Sequence, residues 1–403
     1  MLLAIAWRNL WVNRRRTLSA LAAVAAGVAA MLIIAGVMNG MADRLLEGVT
    51  GSFLGHVQLH HEGFRERNSP AIVIRDADQV LATVRATDGV QGATGRVFGL
   101  GNVSFLRGGV PVSATVAALL GVEPGPEQAV TDLAAHVVEG RWLQDDVEVV
   151  LGAGLAKRSG AHLGDSFVTG SGEAQTVVGI VRTGMDGIDG RTVVMTRARL
   201  AKFMGLEGQV HEIAVRVRDP ERLDALVSSL RARVPDQEAL AWYDIAPEIR
   251  VVIVVFSASP VFMSFILFLA VAFGILNTML MANFERTKEF GLMMALGTRP
   301  RRIVALVLTE SGLLALVGTA AGAVIGLALV GAWSLRGFDL GALMGSEGVS
   351  LMGVAFKPVL WPRVGIADLL KTTIPVAVLA LLAGLWPAVK ASRTQPADAL
   401  RNE

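Results

Sequence analysis

Four apolar runs, each long enough to cross a bilayer and separated by charged stretches of very unequal length, constrain this chain more than any other feature. A hydrocarbon core of about 30 Å takes about 20 apolar residues as a helix. Residues 18–41, 257–282, 303–333 and 372–391 meet that requirement, in a chain that is 53% apolar. The fourth run contains Pro375 and Pro387. Proline is tolerated in membrane helices where neighbours satisfy the freed carbonyls. The first run follows Arg8, Arg14, Arg15 and Arg16, as a secretion signal would. It exceeds the apolar core of about 7–15 residues in a signal, so it is expected to remain as an anchor.

Lys and Arg mark the cytoplasmic side of a membrane protein. Residues 1–17, 283–302 and 390–403 together hold twelve basic residues against four acidic ones. Residues 42–250 hold 21 basic and 27 acidic residues. Four spans place the three basic segments on one side without adjustment. Both termini and residues 283–302 are therefore expected in the cytoplasm, and residues 42–250 and 334–371 outside. In the N-terminal arm, Leu3, Ala6, Trp7, Leu10 and Trp11 follow helical spacing. That pattern predicts an amphipathic helix, lying in the inner interface or packed on other membrane helices.

The large insert alternates strand-like runs (HVQLH, VSFL, EVVLG, FVTG, TVVGIV, TVVMT, EIAVRV) with helix-like ones at 77–86 and 220–234. The fold class is thus an α-helical membrane protein of four spans with a large α+β periplasmic domain between the first two. A second lobe is expected at about 115–206. Chemistry is sparse. The chain has no cysteine, which removes disulfides and thiol catalysis. His56, His60, His61, His136, His162 and His211 are scattered, and His60-His61-Glu62 lacks a zincin spacing. TGSGE is not a nucleophile elbow. Asp145, Asp146, Asp186 and Asp189 read as surface turns. No lysine follows a glycine, so no phosphate loop is present. A net charge of +2 gives no sign of nucleic acid.

Residues 283–302, NFERTKEFGLMMALGTRPRR, pack seven charged side chains between two spans. On a helix from Asn283 to Leu296, the line Phe284, Lys288, Gly291, Ala295 runs beside Glu285, Glu289, Leu292, Leu296. Acids come early and bases late, which suits the helix dipole. Gly297 is a good C′ residue and Pro300 prevents continuation. A plain turn would need only a few polar residues. A short helix here, joined to a span without a linker, suits a surface for a partner. Within the spans, Gly318, Gly322 and Gly326 allow close helix approach. Glu310 is an intramembrane acid, either functional or snorkelling to Arg301 or Arg302. Asn277 is expected to bond across a helix interface.

The arm AWRNLWVNRRRTL, the stretch ERTKEFGLMMALG with Glu310 downstream, and the tail WPAVKASRTQPADALR resemble the FtsX/MacB-like permeases of type VII ABC systems. Phe290 stands where isoleucine is commoner in that family. Insert segments such as GHVQLHHEGF, VVLGAGLAKRSGAHLGD and WYDIAPEI resemble the outer domain of lipoprotein-releasing permeases. The resemblance implies a separate ABC ATPase subunit, carrying ATP and Mg²⁺, that grips Glu285, Arg286, Thr287, Lys288, Glu289, Gly291, Leu292, Ala295, Leu296 and Gly297. It implies no cofactor on this chain. It also implies a second permease copy or paralogue, a periplasmic adaptor or lipoprotein chaperone, contact with membrane lipids, and a place in the bacterial inner membrane. Mechanotransmission would then move the outer domain and extract lipoprotein or other lipidated cargo. Two alternatives stand beside it. One is a split tripartite efflux permease of the MacB type, whose ATPase is usually fused and is expected to be absent here. The other is an FtsX-like scaffold for cell-wall hydrolases, whose outer domain is smaller.

Overall fold

The structure is a computed structural model that describes residues 2–67, 69–170, 173–339, 350–351, 354–355 and 359–392. The expected tail from residue 393, residues 340–349, 352–353 and 356–358 of the 334–371 segment, and the centre of TGSGE lie outside the described residues. The chain forms two compact units, one of residues 1–42, 254–343 and 359–403, the other of 43–253 and 344–358.

Among the described residues of the first unit the helices are α1 (Leu2–Leu10), α2 (Arg14–Val49), α3 (Pro247–Glu285), α4 (Thr287–Ala295), α5 (Pro300–Arg336) and α6 (Ile366–Ser392). Helices α2, α3, α5 and α6 are long and apolar enough to cross a membrane. Each outruns its apolar stretch, because the terminal turns are built from polar and helix-starting residues. Helices α3 and α5 begin at Pro247 and Pro300, whose missing N–H costs nothing in a first turn. Helix α6 begins at Ile366, where Asp368 accepts from the Gly365 amide at 2.9 Å and from Asn39 at 3.0 Å. The arm does not run unbroken to residue 17. It ends at Leu10, whose carbonyl accepts from the Thr17 hydroxyl at 2.5 Å, and Arg14, Arg15 and Arg16 form the first turn of α2.

One core joins these helices: Val24, Val28, Met31 and Leu32 of α2, Phe268, Val271, Ile275 and Met279 of α3, Leu314 and Ala315 of α5, and Val376 of α6. Gly318, Gly322 and Gly326 do allow a close approach, and the helix that takes it is α2 of the same chain. A Cβ at Gly322 would lie 2.5 Å from the Ala25 carbonyl oxygen, and one at Gly318 2.8 Å from Val24. Helix α3 leaves Phe262, Phe265, Ile266 and Phe273 exposed. Asn277 lies on that exposed face, off the Val271–Ile275–Met279 stripe, and makes no hydrogen bond among the described residues of this chain.

The inserted unit is built on a sheet ordered β10-β1-β9-β2-β3-β8-β5-β7-β4, with β6 against β2 and β7. The strands are β1 (Val57–His61), β2 (Val90–Arg107), β3 (Val110–Val122), β4 (Val137–Gly140), β5 (Glu148–Gly152), β6 (Ser166–Thr169), β7 (Ala174–Val181), β8 (Thr192–Thr196), β9 (Glu212–Val217) and β10 (Gln237–Ala241). Pairs β3/β8 and β5/β7 are parallel and the others antiparallel, a mixed α/β arrangement. Strand β2 serves both lobes. Its start pairs with β9 and its remainder, from Val97, with β3. The second lobe therefore begins inside β2 rather than near residue 115. Glycines at 92, 95, 99 and 101 hide this long strand from an alternation pattern.

Arg96 is the largest buried polar residue of this unit. It donates to Glu127 at 2.5 and 3.1 Å, to Glu212 at 2.9 Å and to the Phe53 carbonyl at 2.6 Å. Burial pushes the Glu212 carboxyl up to about 7, against the pull of Arg96. Asp189 and Asp146 also hold structure. Asp189 accepts from the Thr183 and Gly184 amides, and Asp146 from the Thr196 hydroxyl.

Candidate functional site

The charged stretch forms two helical pieces, not one helix from Asn283 to Leu296. Helix α3 ends at Glu285, Arg286 leaves helical geometry at φ −104° and ψ 15°, and α4 starts at Thr287. The Thr287 hydroxyl donates back to the Asn283 and Phe284 carbonyls at 3.1 and 2.9 Å, closing the junction. The far end is a Schellman stop. The Gly297 amide donates to Met294 and the Thr298 amide to Met293, both at 3.0 Å, with Gly297 at φ 91°. Arg299 is extended and Pro300 opens α5.

Phe290 anchors α4. It is buried with Ile303 and Val307 of α5 and Ala388 and Ala391 of α6. The larger ring at this position fills that wedge, and Arg286 sits 5.1 Å above it. Gly291 is buried beside it, while Lys288, Glu289, Leu292, Ala295 and Leu296 are exposed. Leu296 is 79% exposed, so α4 presents apolar and charged groups together.

Arg286 turns inward. Its guanidinium donates to both Glu310 oxygens at 2.9 and 3.1 Å and to Glu289 at 2.9 Å. Glu310 is 4% exposed and also accepts from the Asn9 amide of α1 at 2.7 Å. The snorkelling expectation is thus corrected. Glu310 pairs with Arg286 and Asn9, and Arg301 and Arg302 remain exposed on the first turn of α5. A second pair, Arg16 of α2 to Glu285 at 2.7 Å, ties the same junction. The site therefore joins α1, α2, α3, α4 and α5.

Sequence reasoning singled out Glu310 and Arg286 separately but missed their pairing, and it missed Asn9 and Arg16 as partners. One signal was available. Arg286 and Glu310 stand at equal distances in sequence from Thr298, as residues level with each other across a helical hairpin do. Beside the junction lies a cavity of about 470 Å³ between α3, α4 and α6. Lys288 and Lys390 line it, as does buried Asn283, whose side-chain atoms find no partner. Lys390 lies 4.6 Å from the Phe284 ring. No group of three or more His, Asp or Glu with metal-binding geometry occurs among the described residues.

Residues 17–233 match the MacB-like periplasmic core domain and residues 261–396 the FtsX-like permease C-terminal. The chain is 25% identical to the lipoprotein-releasing system transmembrane protein LolC of Neisseria meningitidis, over 96% of this chain and 94% of that protein. It is 26% identical to the pyoverdine export ATP-binding/permease protein PvdT of Pseudomonas fluorescens, over 99% of this chain and 59% of that protein. Among solved structures it resembles the periplasmic region of MacB from Actinobacillus actinomycetemcomitans, with a TM-score of 0.39 and 17% identity over 51% of this chain and 95% of that one. The two matched regions follow one another along one chain of four apolar helices, and the chain belongs to the FtsX/MacB-like permeases of type VII ABC transporters.

Proposed function

We propose that this chain is the permease subunit of a transporter in the bacterial inner membrane, with both termini in the cytoplasm. It couples ATP hydrolysis on a separate ABC ATPase subunit to work outside by mechanotransmission. ATP and Mg²⁺ belong to that partner in this reading. The observation that carries it is the Arg286–Glu310 pair, with Glu310 buried and Arg286 partly buried. The exposed stripe Lys288, Glu289, Leu292, Ala295 and Leu296 receives the ATPase. Displacing α4 pulls on Arg286, and Glu310 passes the pull to α5. The Arg16–Glu285 pair shares it with α2. A charge pair shielded from water resists separation far more than an exposed one, so the Arg286–Glu310 pair suits force transfer better than the more exposed Arg16–Glu285 pair.

The cargo reading is extraction of lipoprotein or other lipidated cargo. Similarity to LolC along nearly the whole of both chains supports it. The exposed apolar face of α3 suits a second permease copy or paralogue, and an adaptor or lipoprotein chaperone would receive the cargo. A second reading, efflux of the MacB type, rests on equal identity to PvdT across this chain. Proteoliposomes holding the permease with its ATPase separate the two. ATP-dependent release of a fluorescent lipoprotein to a soluble acceptor supports the first. Release of none, with ATPase stimulation by a small exported molecule, overturns it in favour of the second.

A further inference from the structure

A cavity of about 1050 Å³ lies within the inserted unit, where β2 passes from one lobe to the other. Its walls are apolar: Phe53, Phe64, Phe98, Leu100, Met185 and Ile188. Leu100 is 76% exposed, a large apolar side chain with nothing covering it. The polar groups of the floor are spent on one another. His60 faces the His211 carbonyl at 3.2 Å and the Gln58 amide oxygen at 3.1 Å. Gln58 donates to the Leu54 carbonyl at 2.9 Å. His211 accepts from the Phe98 amide at 3.1 Å and faces the Pro70 carbonyl at 3.0 Å. Glu212 is held by Arg96.

The formal charges left in the lining are Arg65 and Arg191, both exposed. Arg65 donates to the Asp244 and Ile245 carbonyls at 3.0 and 2.7 Å. Among the described residues neither arginine has a carboxylate partner. Asp189 is engaged by Thr183 and Gly184, and Asp186 does not line the cavity. Ligand pockets are commonly clefts of this size, with apolar walls and a few convergent polar groups.

We propose that this cavity binds an anionic amphiphile, with its hydrocarbon chain against Phe53, Phe64, Phe98 and Leu100 and its acidic head beside Arg65 and Arg191. The assignment goes beyond the permease reading and needs neither the ATPase nor a particular cargo. An apolar chain meets a floor whose polar groups already have protein neighbours, and the head meets two cations that lack a carboxylate partner among the described residues.

The test uses the full chain in phosphatidylcholine nanodiscs with a diazirine-bearing fatty acid, irradiated and mapped by mass spectrometry. Label is expected on peptides covering residues 53–70 or 98–120. Gly187→Trp fills the cavity, since a Cβ at Gly187 meets nothing within 4 Å, and should cut that label by about tenfold or more. Arg191→Glu, at an exposed position, should weaken it too, and an alkylamine probe of equal length should label less. Suppression by unlabelled phosphatidylglycerol identifies a phospholipid as the source. Suppression by a diacylated acidic peptide identifies an acylated polypeptide. The proposal is overturned by suppression with neither, by label confined to the spans, by equal labelling with the amine, or by both variants labelling as the parent does.

Discussion

The Arg286 guanidinium meets the Glu310 carboxylate at 2.9 and 3.1 Å, and it does so in the gap between α3 and α4. Arg286 is also the residue at which helical geometry breaks, so the pair fastens the α3–α4 junction to α5. Losing Glu310 breaks the ion pair and the Asn9 contact but leaves Arg286 its Glu289 partner, so the cost is expected below the roughly 3–5 kcal/mol of a fully buried pair. Glu310→Ala is therefore expected to lower thermal stability and uncouple ATP hydrolysis from transport. Glu310→Gln keeps the Asn9 contact and should lose coupling more than stability. Melting curves beside transport assays separate the effects. Full transport by both variants would sink the force-transfer role.

The exposed face of α4 is separable from its anchor. Leu292→Glu and Leu296→Glu leave Phe290 and the Gly297 stop untouched. Membrane insertion and melting temperature should stay within error of the parent, since surface substitutions usually move stability by about 0.5 kcal/mol or less. Co-purification of the ATPase should fall. Undiminished co-purification of both variants would place the docking surface elsewhere.

The membrane half was legible because its rules are local. Apolar length defined the spans, and Gly297 with Pro300 defined the stop of α4. What the sequence hid was long-range. Asn9 lies 301 positions from Glu310, and Arg16 lies 269 from Glu285. In the inserted unit, the runs TVVMT and EIAVRV matched β8 and β9 residue for residue. The glycine-interrupted β2 did not read as a strand throughout, so the lobe boundary slipped. The buried Arg96–Glu127–Glu212 cluster sits in three separate elements with no shared spacing.

Helix packing in the membrane offers a contrast within one chain. A Cβ at Gly322 would clash with the Ala25 backbone, whereas Gly331 faces open space. Gly322→Val should cost about 1–3 kcal/mol or more through overpacking. Gly331→Val should change little. Thermal unfolding in detergent measures both, and equal effects would show that α5 does not pack on α2 as described.

The absence of cysteine makes topology directly readable. Arg299→Cys, in the turn before α5, and Asp236→Cys, between two elements of the inserted unit, are both at exposed positions. A membrane-impermeant maleimide should label them from opposite sides in intact and inverted vesicles. Labelling from the same side would overturn the orientation proposed from charge.

Acid sensitivity of the inserted unit follows from His60. Burial lowers its pKa to about 4, against the hydrogen bond to the His211 carbonyl and with Arg65 adding to the effect, and Phe64 stacks on the ring at 5.0 Å. A base whose folded pKa is depressed contributes stability that is full above its unfolded value near 6.5 and is lost as pH falls toward 4. His56 behaves alike, lowered to about 4 by burial and then Arg216. Glu212 works with the opposite sign. Its carboxyl, raised to about 7, contributes stability present below its unfolded value and lost as pH rises through 7. The two effects oppose each other between about pH 4.5 and 6.5. Below that window only the histidines still contribute, so the steepest loss is expected near the acid end. At one pKa unit per 1.36 kcal/mol, His60 accounts for up to about 3 kcal/mol. His60→Gln keeps a polar group facing Gln58 and should flatten the fall in melting temperature between pH 6.5 and 4. A variant curve parallel to the parent's across that range would show that His60 is not held neutral by the fold.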